Sequence, residues 1–299
     1  MNIIGKKYFY FLISLIIIIP GIISLSLYGL NLSIEFTGGT LITVSTPTQA
    51  TQASAQSIKK ILEKEGFASS AQVSSNSIDI RTKFMDQKQD AKFISDLQSQ
   101  IKGAAQKDFQ NVGPIIGSEI TVNAFKALLI SSFLIVLYIT WSFRKVPKPA
   151  SSFRFGIAAI VALIHDALVL LGVFSILGHF WGVEIDSLFV TAILTVIGFS
   201  VHDTIVVFDR IRENLRRYGG ENFSEVVNDS ILQTLDRSLN TSLTVILVLI
   251  ALLLFGGESI RWFVIALLIG IISGTYSLIF NASPLLVVWQ EFLQKKSRK

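Results

Sequence analysis

The chain has 299 residues, of which 51% are hydrophobic and 16% are charged, and its formal net charge is +5. A mean hydropathy of +0.59 is too high for a soluble protein, while the charged fraction is too high for membrane helices alone. The composition therefore predicts a membrane bundle that carries a polar domain. Cysteine is absent, which excludes disulfides, thiol catalysis and cysteine-based metal sites.

Six apolar runs approach or exceed the roughly 20 helical residues that cross about 30 Å of hydrocarbon. They are Phe9–Leu30, Val122–Phe143, Phe155–Gly178, Leu188–Phe208, Leu239–Phe255 and Trp262–Trp289. The last run is long enough to be tilted or to hold a break between Asn281 and Pro284. The first is longer than the core of a usual signal peptide, and no Ala-x-Ala-type site follows it, so we expect a retained helix.

The charges of the loops predict the orientation in the membrane. The loops on one side are basic, with Lys6, Lys7, Arg144, Lys145, Lys148, Arg154, Arg210, Arg212, Arg216, Arg217, Lys295, Lys296, Arg298 and Lys299. Of the opposite loops, one carries Glu184 and Asp186, and another carries Glu258 together with Arg261. The positive-inside rule then predicts cytoplasmic termini and an exterior location for residues 31–121. That block is electrically neutral, and no basic stripe interleaved with aromatic residues indicates nucleic-acid binding.

Residues 31–121 alternate strand and helix patterns. Four segments have strand patterns: Thr40–Thr46, Ala71–Ser74, Ser77–Lys83 and Phe109–Ile116. Two segments have the apolar spacing of helices: Gln52–Glu65 and Gln89–Lys107. The middle strands alternate across Ser75-Asn76 as a hairpin would, and the order βαββαβ predicts a small ferredoxin-like α+β domain. We therefore expect a helix at 9–30, an exterior domain at 31–121, further spans at 122–289 and a basic tail at 290–299.

Asp203 places an ionisable side chain inside the fourth apolar run. A charge in hydrocarbon costs at least about 2.5–3.5 kcal/mol on insertion scales, so a carboxyl group there indicates function. By helix rise, Asp203 lies roughly 9 Å from Asp209, the next charge, and thus within the inner leaflet. The alternative is that Asp203 already lies at the membrane surface.

Arg237, at the inner mouth of the fifth span, is the expected partner of Asp203. Because consecutive spans run antiparallel, the two residues occur at a similar depth. A pair that forms and breaks would let the carboxyl group release and take up a proton, which is the minimal requirement of a relay switched by helix motion. The alternative is that Arg237 is an ordinary interfacial anchor.

Three further polar residues within the apolar runs are weaker relay candidates: His165, Asp166 and His202. Asp166 lies about 18 Å past Arg154 by helix rise, close to the membrane midplane. Neighbouring helix positions point roughly 100° apart, so we do not expect His165 and Asp166 to face one partner. The alternatives are a polar contact that joins helices for Asp166 and a simple hydrogen bond for His202. Small residues of the last span predict close helix packing: Gly270, Ser273, Gly274, Ser277, Ala282 and Ser283.

Gly38-Gly39, after the first span, predicts a tight backbone turn into the exterior domain. It is not a phosphate-binding loop, because no Gly-Lys-Ser/Thr follows it. The sequence contains no metal-ligand cluster and no Ser/His/Asp arrangement. We therefore expect no catalytic residues, no metal and no cofactor.

Five stretches are similar to a known family: Ile34–Thr40, Ala162–Ala167, Thr195–Asn214, Arg237–Ser242 and Gly274–Ser277. Through them the chain resembles, over essentially its full length, the SecF family, membrane subunits of the bacterial SecDF complex that assists protein export. The matching motif residues are Glu35, Gly38, Gly39, Asp209, Arg210, Arg212 and Asn240. The chain has Glu35, His202 and Phe199 where the family usually has aspartate, asparagine and tyrosine.

The resemblance implies a six-helix transmembrane bundle built like half of an RND-type transporter, with the exterior ferredoxin-like domain between spans 1 and 2. It also implies that Asp203 and Arg237 take part in proton-coupled motion. The implied partners are a SecD-like subunit, a SecYEG-type translocon with YajC, the translocating unfolded polypeptide, membrane lipid and protons. The implied location is the bacterial cytoplasmic (inner) membrane.

The expected function is therefore non-enzymatic. With a SecD-like partner, the chain would use the proton gradient to promote late steps of preprotein translocation, as an accessory subunit of the Sec translocase. A stand-alone proton-driven RND-type exporter is one alternative, although such exporters carry two halves and far larger exterior domains. A passive scaffold of the translocon is the other.

Overall fold

The computed structural model describes residues 2–46, 50–73, 77–101, 103–144, 146–147, 150–217 and 222–297. These residues form two compact units. One comprises Met1–Asn31 and Lys126–Lys299, and the other comprises Leu32–Phe125. The predicted turn at Ser75-Asn76 and the loop and tail charges at Lys145, Lys148, Arg298 and Lys299 lie outside the described residues.

The first membrane helix, α1 (Lys7–Tyr28), precedes the small unit. That unit contains α2 (Ile34–Thr37), β1 (Gly39–Ser45), α3 (Gln52–Lys64), β2 (Ser69–Val73), β3 (Ser77–Thr82), α4 (Gln87–Gln100) and β4 (Ala105–Val112). Its four strands form one antiparallel sheet in the order β2-β3-β1-β4. The predicted βαββαβ arrangement is thus confirmed.

Strand alternation and helix amphipathicity build the core of this unit. Ile42 and Val44 of β1, and Ile78 and Ile80 of β3, are fully buried on one face of the sheet. The apolar sides of α3 and α4 complete the same core with Ile58, Leu62, Phe93 and Leu97. A capping box fixes the start of α4, where Asp86 and Gln89 bond each other's backbone.

Two elements of this unit have boundaries that differ from the prediction. The helix predicted to run to Lys107 ends at Gln100, and Gly103 follows it with a φ of 85° that a helix cannot continue. The last strand therefore begins at Ala105 and not at Phe109. It also ends at Val112, because Pro114 opens the next helix, so that Ile115 and Ile116 are helical.

The remaining spans are α5 (Pro114–Ser142), α6 (Ser152–Trp181), α7 (Ser187–Arg217), α8 (Phe223–Phe255), α9 (Arg261–Ser277) and α10 (Ser283–Ser297). A π-helical turn, Leu278–Ala282, joins α9 to α10 within one long span, so the described part of the chain contains six candidate membrane spans. The break predicted near Asn281 takes this form. Asn281 exchanges hydrogen bonds with Ser14 of α1 at 2.8 and 3.0 Å.

Glycine contacts hold the bundle closely together. A Cβ placed on Gly21 of α1 would lie 2.8 Å from the Cα atom of Gly172 of α6. A Cβ placed on Gly270 of α9 would lie 3.0 Å from the Cβ atom of Val196 of α7. Helices that approach so closely need glycine at the crossing point. The resulting contacts of α7 with α8 and α9 position the candidate site.

Candidate functional site

Asp203 lies inside the bundle on α7, with 4% of its surface exposed. Its Oδ1 atom is 3.6 Å from Nδ1 of His202, whose own side chain is 67% exposed. Its Oδ2 atom is buried without a hydrogen-bond partner in the described part of the chain. A buried carboxylate oxygen that lacks a donor is costly, and such an exception in a protein interior calls for an explanation.

Arg237 lies on α8, the helix that packs against α7, but it does not contact Asp203. Within the described residues, no ion pair within 4.0 Å joins the two side chains. Arg237 instead lines a cavity of about 550 Å³ together with Asp209, Glu213 and Gln233. The structure thus places the two predicted relay residues on adjacent helices, without an ion pair between their side chains.

The cavity approaches Asp203 along α7. Val206 and Arg210 line it, and they follow Asp203 by three and seven residues. Residues with these spacings lie on the same side of a helix. The inner end of the cavity is therefore about one helical turn from Asp203.

The motif residues at the C-terminal end of α7 form a charged network. Arg212 pairs with Asp209 on the same helix. Arg210 bonds Glu213, also on α7, and Gln233 of α8, each at 2.6 Å. Beside them, the buried Asn214 donates to Ser230 and Gln233 of α8, each at 2.9 Å. The bonds from Arg210 and Asn214 join α7 to α8 beside the cavity. Sequence reasoning missed the role of Asn214, although a lone amide beside an apolar helix face was a signal for it.

Asp166, on α6, is completely buried and has four hydrogen-bonding neighbours. Its Oδ2 atom accepts from Ser200 of α7 at 2.6 Å and from Ser277 of α9 at 2.9 Å. Its Oδ1 atom accepts from Ser273 of α9 at 3.0 Å and lies 3.1 Å from Nδ1 of His165. We name Asp166 and these three serines the serine hub. His165 and Asp166 therefore contact each other and do not share a distant partner.

Sequence reasoning did not find the three serine partners of Asp166. Ser273 and Ser277 were expected only to let helices pack closely, and Ser200 was not singled out. The available signal was the spacing of Ser273 and Ser277, four residues apart on one helix face and beside Gly274. Their common acceptor on α6 could not be found without knowing how each helix is rotated.

Comparison with known proteins gives the family. The family described as "Protein export membrane protein SecD/SecF, C-terminal" matches residues 93–292, and the "SecD/SecF GG Motif" family matches residues 23–46. The SecF translocase subunit of Thermobaculum terrenum is 49% identical, over 97% of this chain and 94% of its own length. That of Anaerolinea thermophila is 44% identical with the same coverage.

The chain belongs to the SecF family. A crystal structure of SecDF from Thermus thermophilus, described as a translocon-associated membrane protein, matches with a TM-score of 0.83 and 33% identity. The match covers 97% of this chain but only 39% of the SecDF chain. This SecF-family chain is accordingly a multi-pass membrane protein, and the relatives it matches are named as protein translocase subunits.

The GG motif of this SecF-family chain is the predicted tight turn. Gly38 and Gly39 have φ values of 70° and 123° between α2 and β1. A Cβ on Gly38 would lie 2.9 Å from Cα of Pro114, and one on Gly39 would lie 2.7 Å from the carbonyl oxygen of Thr82. Both the backbone conformation and the lack of space require glycine. Ser33 caps the start of α2, because its hydroxyl oxygen accepts from the backbone N–H of Glu35 at 3.3 Å.

Asn240, the last motif residue, lies on the exposed side of α8. It follows Arg237 by three residues, so both side chains lie on the same side of the helix. A protein that binds this side of α8 would contact both Arg237 and Asn240.

Proposed function

We propose that this chain is an accessory subunit of a bacterial Sec protein translocase that acts with a SecD-like partner. Together they use the proton gradient across the cytoplasmic membrane to promote late steps of preprotein translocation. The relatives named as SecF translocase subunits support a role in translocation. Because this chain matches only 39% of the SecDF protein, a partner that supplies the remaining part is a natural expectation.

The environment of Asp203 carries the proposal of proton coupling. One of its carboxyl oxygens is buried without a donor among the described residues, in a helix long and apolar enough to span a membrane. Two groups can supply the missing partner. One is a proton bound to Oδ2, and the other is the guanidinium group of Arg237 after a movement of α7 against α8. Exchange between these two states would couple proton uptake to helix motion.

The cavity beside Arg237 offers protons a way to reach Asp203. Its lining includes the charged or polar residues Asp209, Arg210, Glu213, Gln233 and Thr234. Polar cavities of this kind hold water, which carries protons along hydrogen bonds. Because the cavity lies at the end of α7 that carries Arg216 and Arg217, we propose that it opens to the cytoplasm.

The side chain of His202 supports the proposal of a SecD-like partner in the membrane. It is 67% exposed, although it lies within a span and beside the buried Asp203. A polar ring facing lipid at this depth is unfavourable, so a second protein is the better neighbour. On this proposal, the chain works beside a SecYEG-type translocon in the same membrane. The unfolded polypeptide emerges on the exterior side, where movement of residues 32–125 would assist its release.

Export by inside-out membrane vesicles tests the proposed function. Vesicles containing the complex would translocate an unfolded precursor with and without an imposed proton gradient, normalised to the amount of complex. We expect Asp203→Asn to remove the stimulation by the gradient, because an amide of the same size cannot exchange a proton. Asp236→Asn, which changes an exposed carboxyl group on α8, is the control and should retain the stimulation.

Three outcomes would contradict the proposal. If Asp203→Asn vesicles respond fully to the gradient, the proton that drives export does not pass through Asp203. If no gradient response exists in the parent complex, the passive scaffold is the better account. Purification without any SecD-like protein would favour the stand-alone exporter.

A further inference from the structure

The serine hub is a polar structure that the proposed relay does not use. It joins three helices that all pack against one another: α6 through Asp166, α7 through Ser200, and α9 through Ser273 and Ser277. All four side chains are buried, with exposed fractions between 0 and 8%. Water therefore does not compete for these hydrogen bonds.

The backbones of α7 and α9 approach each other closely beside the hub. A Cβ on Gly274 would lie 3.1 Å from the Cβ atom of Ser200 and 3.5 Å from Oδ2 of Asp166. A slide of one residue moves a helix by about 1.5 Å along its axis. Such a slide would stretch, and when directed along the bond would break, the hydrogen bond of 2.6 Å from the Ser200 hydroxyl to Asp166.

Ser200 also links the hub to the proposed site of proton exchange. Asp203 follows Ser200 by three residues on the same helix, so a contact that fixes Ser200 also fixes the depth of Asp203. We infer that Asp166 is a positioning residue for proton exchange at Asp203. Its carboxylate holds α7 and α9 in register, and the transported proton does not pass through it. This inference rests on the proposed function of Asp203.

Asp166 and Asp203 differ in their hydrogen bonding, as expected if Asp166 positions the helices and Asp203 exchanges the proton. Every neighbour of Asp166 is a group that can donate, so its acceptor sites are filled, whereas Oδ2 of Asp203 has no partner among the described residues. The titratable groups facing the hub are His165 and, beside its ring, Tyr276. The Tyr276 hydroxyl donates to the carbonyl of Tyr10, and Nε2 of His165 has no partner in the described chain. The hydrogen-bonded chain thus ends at His165.

Asparagine at position 166 separates the two possible roles. Its Oδ1 atom can accept from Ser200 and Ser277, while its Nδ2 atom can donate to Ser273 and to His165 in the tautomer protonated at Nε2. Asp166→Asn therefore keeps the hub but removes the capacity to carry a proton. Asp166→Ala removes the carboxylate and leaves the hydroxyl groups of Ser200, Ser273 and Ser277 without this acceptor.

The experiment measures register and proton response together, in the full chain assembled with its SecD-like partner. A cysteine pair at Val196 and Gly270 reports the register of α7 and α9, because their Cβ positions are 3.0 Å apart and the chain has no cysteine of its own. Replacing valine also removes the methyl groups that would crowd the new side chain. Disulfide formation needs Cβ atoms about 3.5–4.5 Å apart, so the pair reacts after separating by about 0.5 Å, whereas a slide by one helical turn of about 5.4 Å takes the two Cβ atoms out of range.

We expect Asp166→Asn to form the disulfide between positions 196 and 270 at a rate within about twofold of the parent. Its export response to the proton gradient should also stay within about twofold of the parent, with an unchanged pH dependence. Asp166→Ala should slow disulfide formation about tenfold and reduce the gradient response to a similar extent, because three interhelical hydrogen bonds are lost. The triple variant Ser200→Ala/Ser273→Ala/Ser277→Ala should behave like Asp166→Ala. Asp203→Asn should form the disulfide at the parental rate but show no response.

Three results have distinct meanings. Loss of the gradient response in Asp166→Asn with normal disulfide formation would show that Asp166 carries the proton, and would overturn the inference. Disulfide formation at the parental rate in Asp166→Ala would also overturn it, because the hub would then not hold the register. A full response in Asp203→Asn would refute the proposed function alone, and the disulfide rates would still decide whether Asp166 is a positioning residue.

Discussion

Gly39→Ala should destabilise residues 32–125 much more than Gly66→Ala does. Both glycines have positive φ, 123° and 84°. A Cβ on Gly39 would meet the carbonyl oxygen of Thr82 at 2.7 Å, whereas a Cβ on Gly66 would have nothing within 4 Å. The pair therefore separates the cost of the backbone conformation from the cost of the steric clash.

The size of the effect follows from these two contributions. A left-handed conformation costs an L-residue roughly 1–2 kcal/mol, and this penalty applies at both positions. Overpacking adds about 1–3 kcal/mol at Gly39 only, because the atom it would meet belongs to the backbone of the paired strand β3. We expect the free energy of unfolding to fall by about 2–5 kcal/mol for Gly39→Ala and about 1–2 kcal/mol for Gly66→Ala.

Urea denaturation of residues 32–125, followed by circular dichroism, measures both changes. The parent fragment should be soluble and unfold cooperatively with a mixed α/β spectrum, because the core of Ile42, Ile78 and Phe93 lies within this unit. Its stability should be about 5–14 kcal/mol, so Gly39→Ala removes a large share. Equal loss of stability in the two variants would refute the reasoning about the GG turn, and a disordered parent fragment would refute the assignment of an independent core.

Two further predictions concern orientation and Arg237. Ser99→Cys and Ser187→Cys should react with a membrane-impermeant maleimide from outside spheroplasts, whereas Ser151→Cys and Lys296→Cys should react only after lysis, because the basic loops stay inside; the reverse pattern would overturn the orientation. Arg237→Lys should retain part of the gradient response in vesicle export, because the charge persists while the planar fork of donors is lost. Arg237→Met should abolish the response. A full response in Arg237→Met would show that Arg237 is an ordinary interfacial residue and not part of the relay.

Much of the fold was predictable, because each membrane span is encoded locally. A run of about 20 apolar residues has few other uses, and the βαββαβ order followed from patterns of period two and 3.6. The errors arose where one residue overrides such a pattern. Gly103 ends α4 early, and Pro114 turns the apolar Ile115 and Ile116 from an apparent strand into a helix.

The candidate site was predictable in its members but not in its contacts. An aspartate within an apolar run identified Asp203 and Asp166 directly. Which oxygen has a partner depends on the rotation of each helix and on approach distances of a few tenths of an ångström, which Gly270 and Gly274 determine through their neighbours. The contrast between the filled acceptor sites of Asp166 and the unpartnered Oδ2 of Asp203 is therefore a tertiary property.

Proton flux through the purified complex tests the central claim most directly. The chain and its SecD-like partner would be reconstituted in liposomes with an interior pH dye, and acidification would be recorded after an imposed pH step. We predict flux in the parent and in Asp236→Asn, and none above empty liposomes in Asp203→Asn, because Asp203 is the carboxyl group that we propose exchanges the proton. Parental flux through an Asp203→Asn complex that retains its partner would contradict this account.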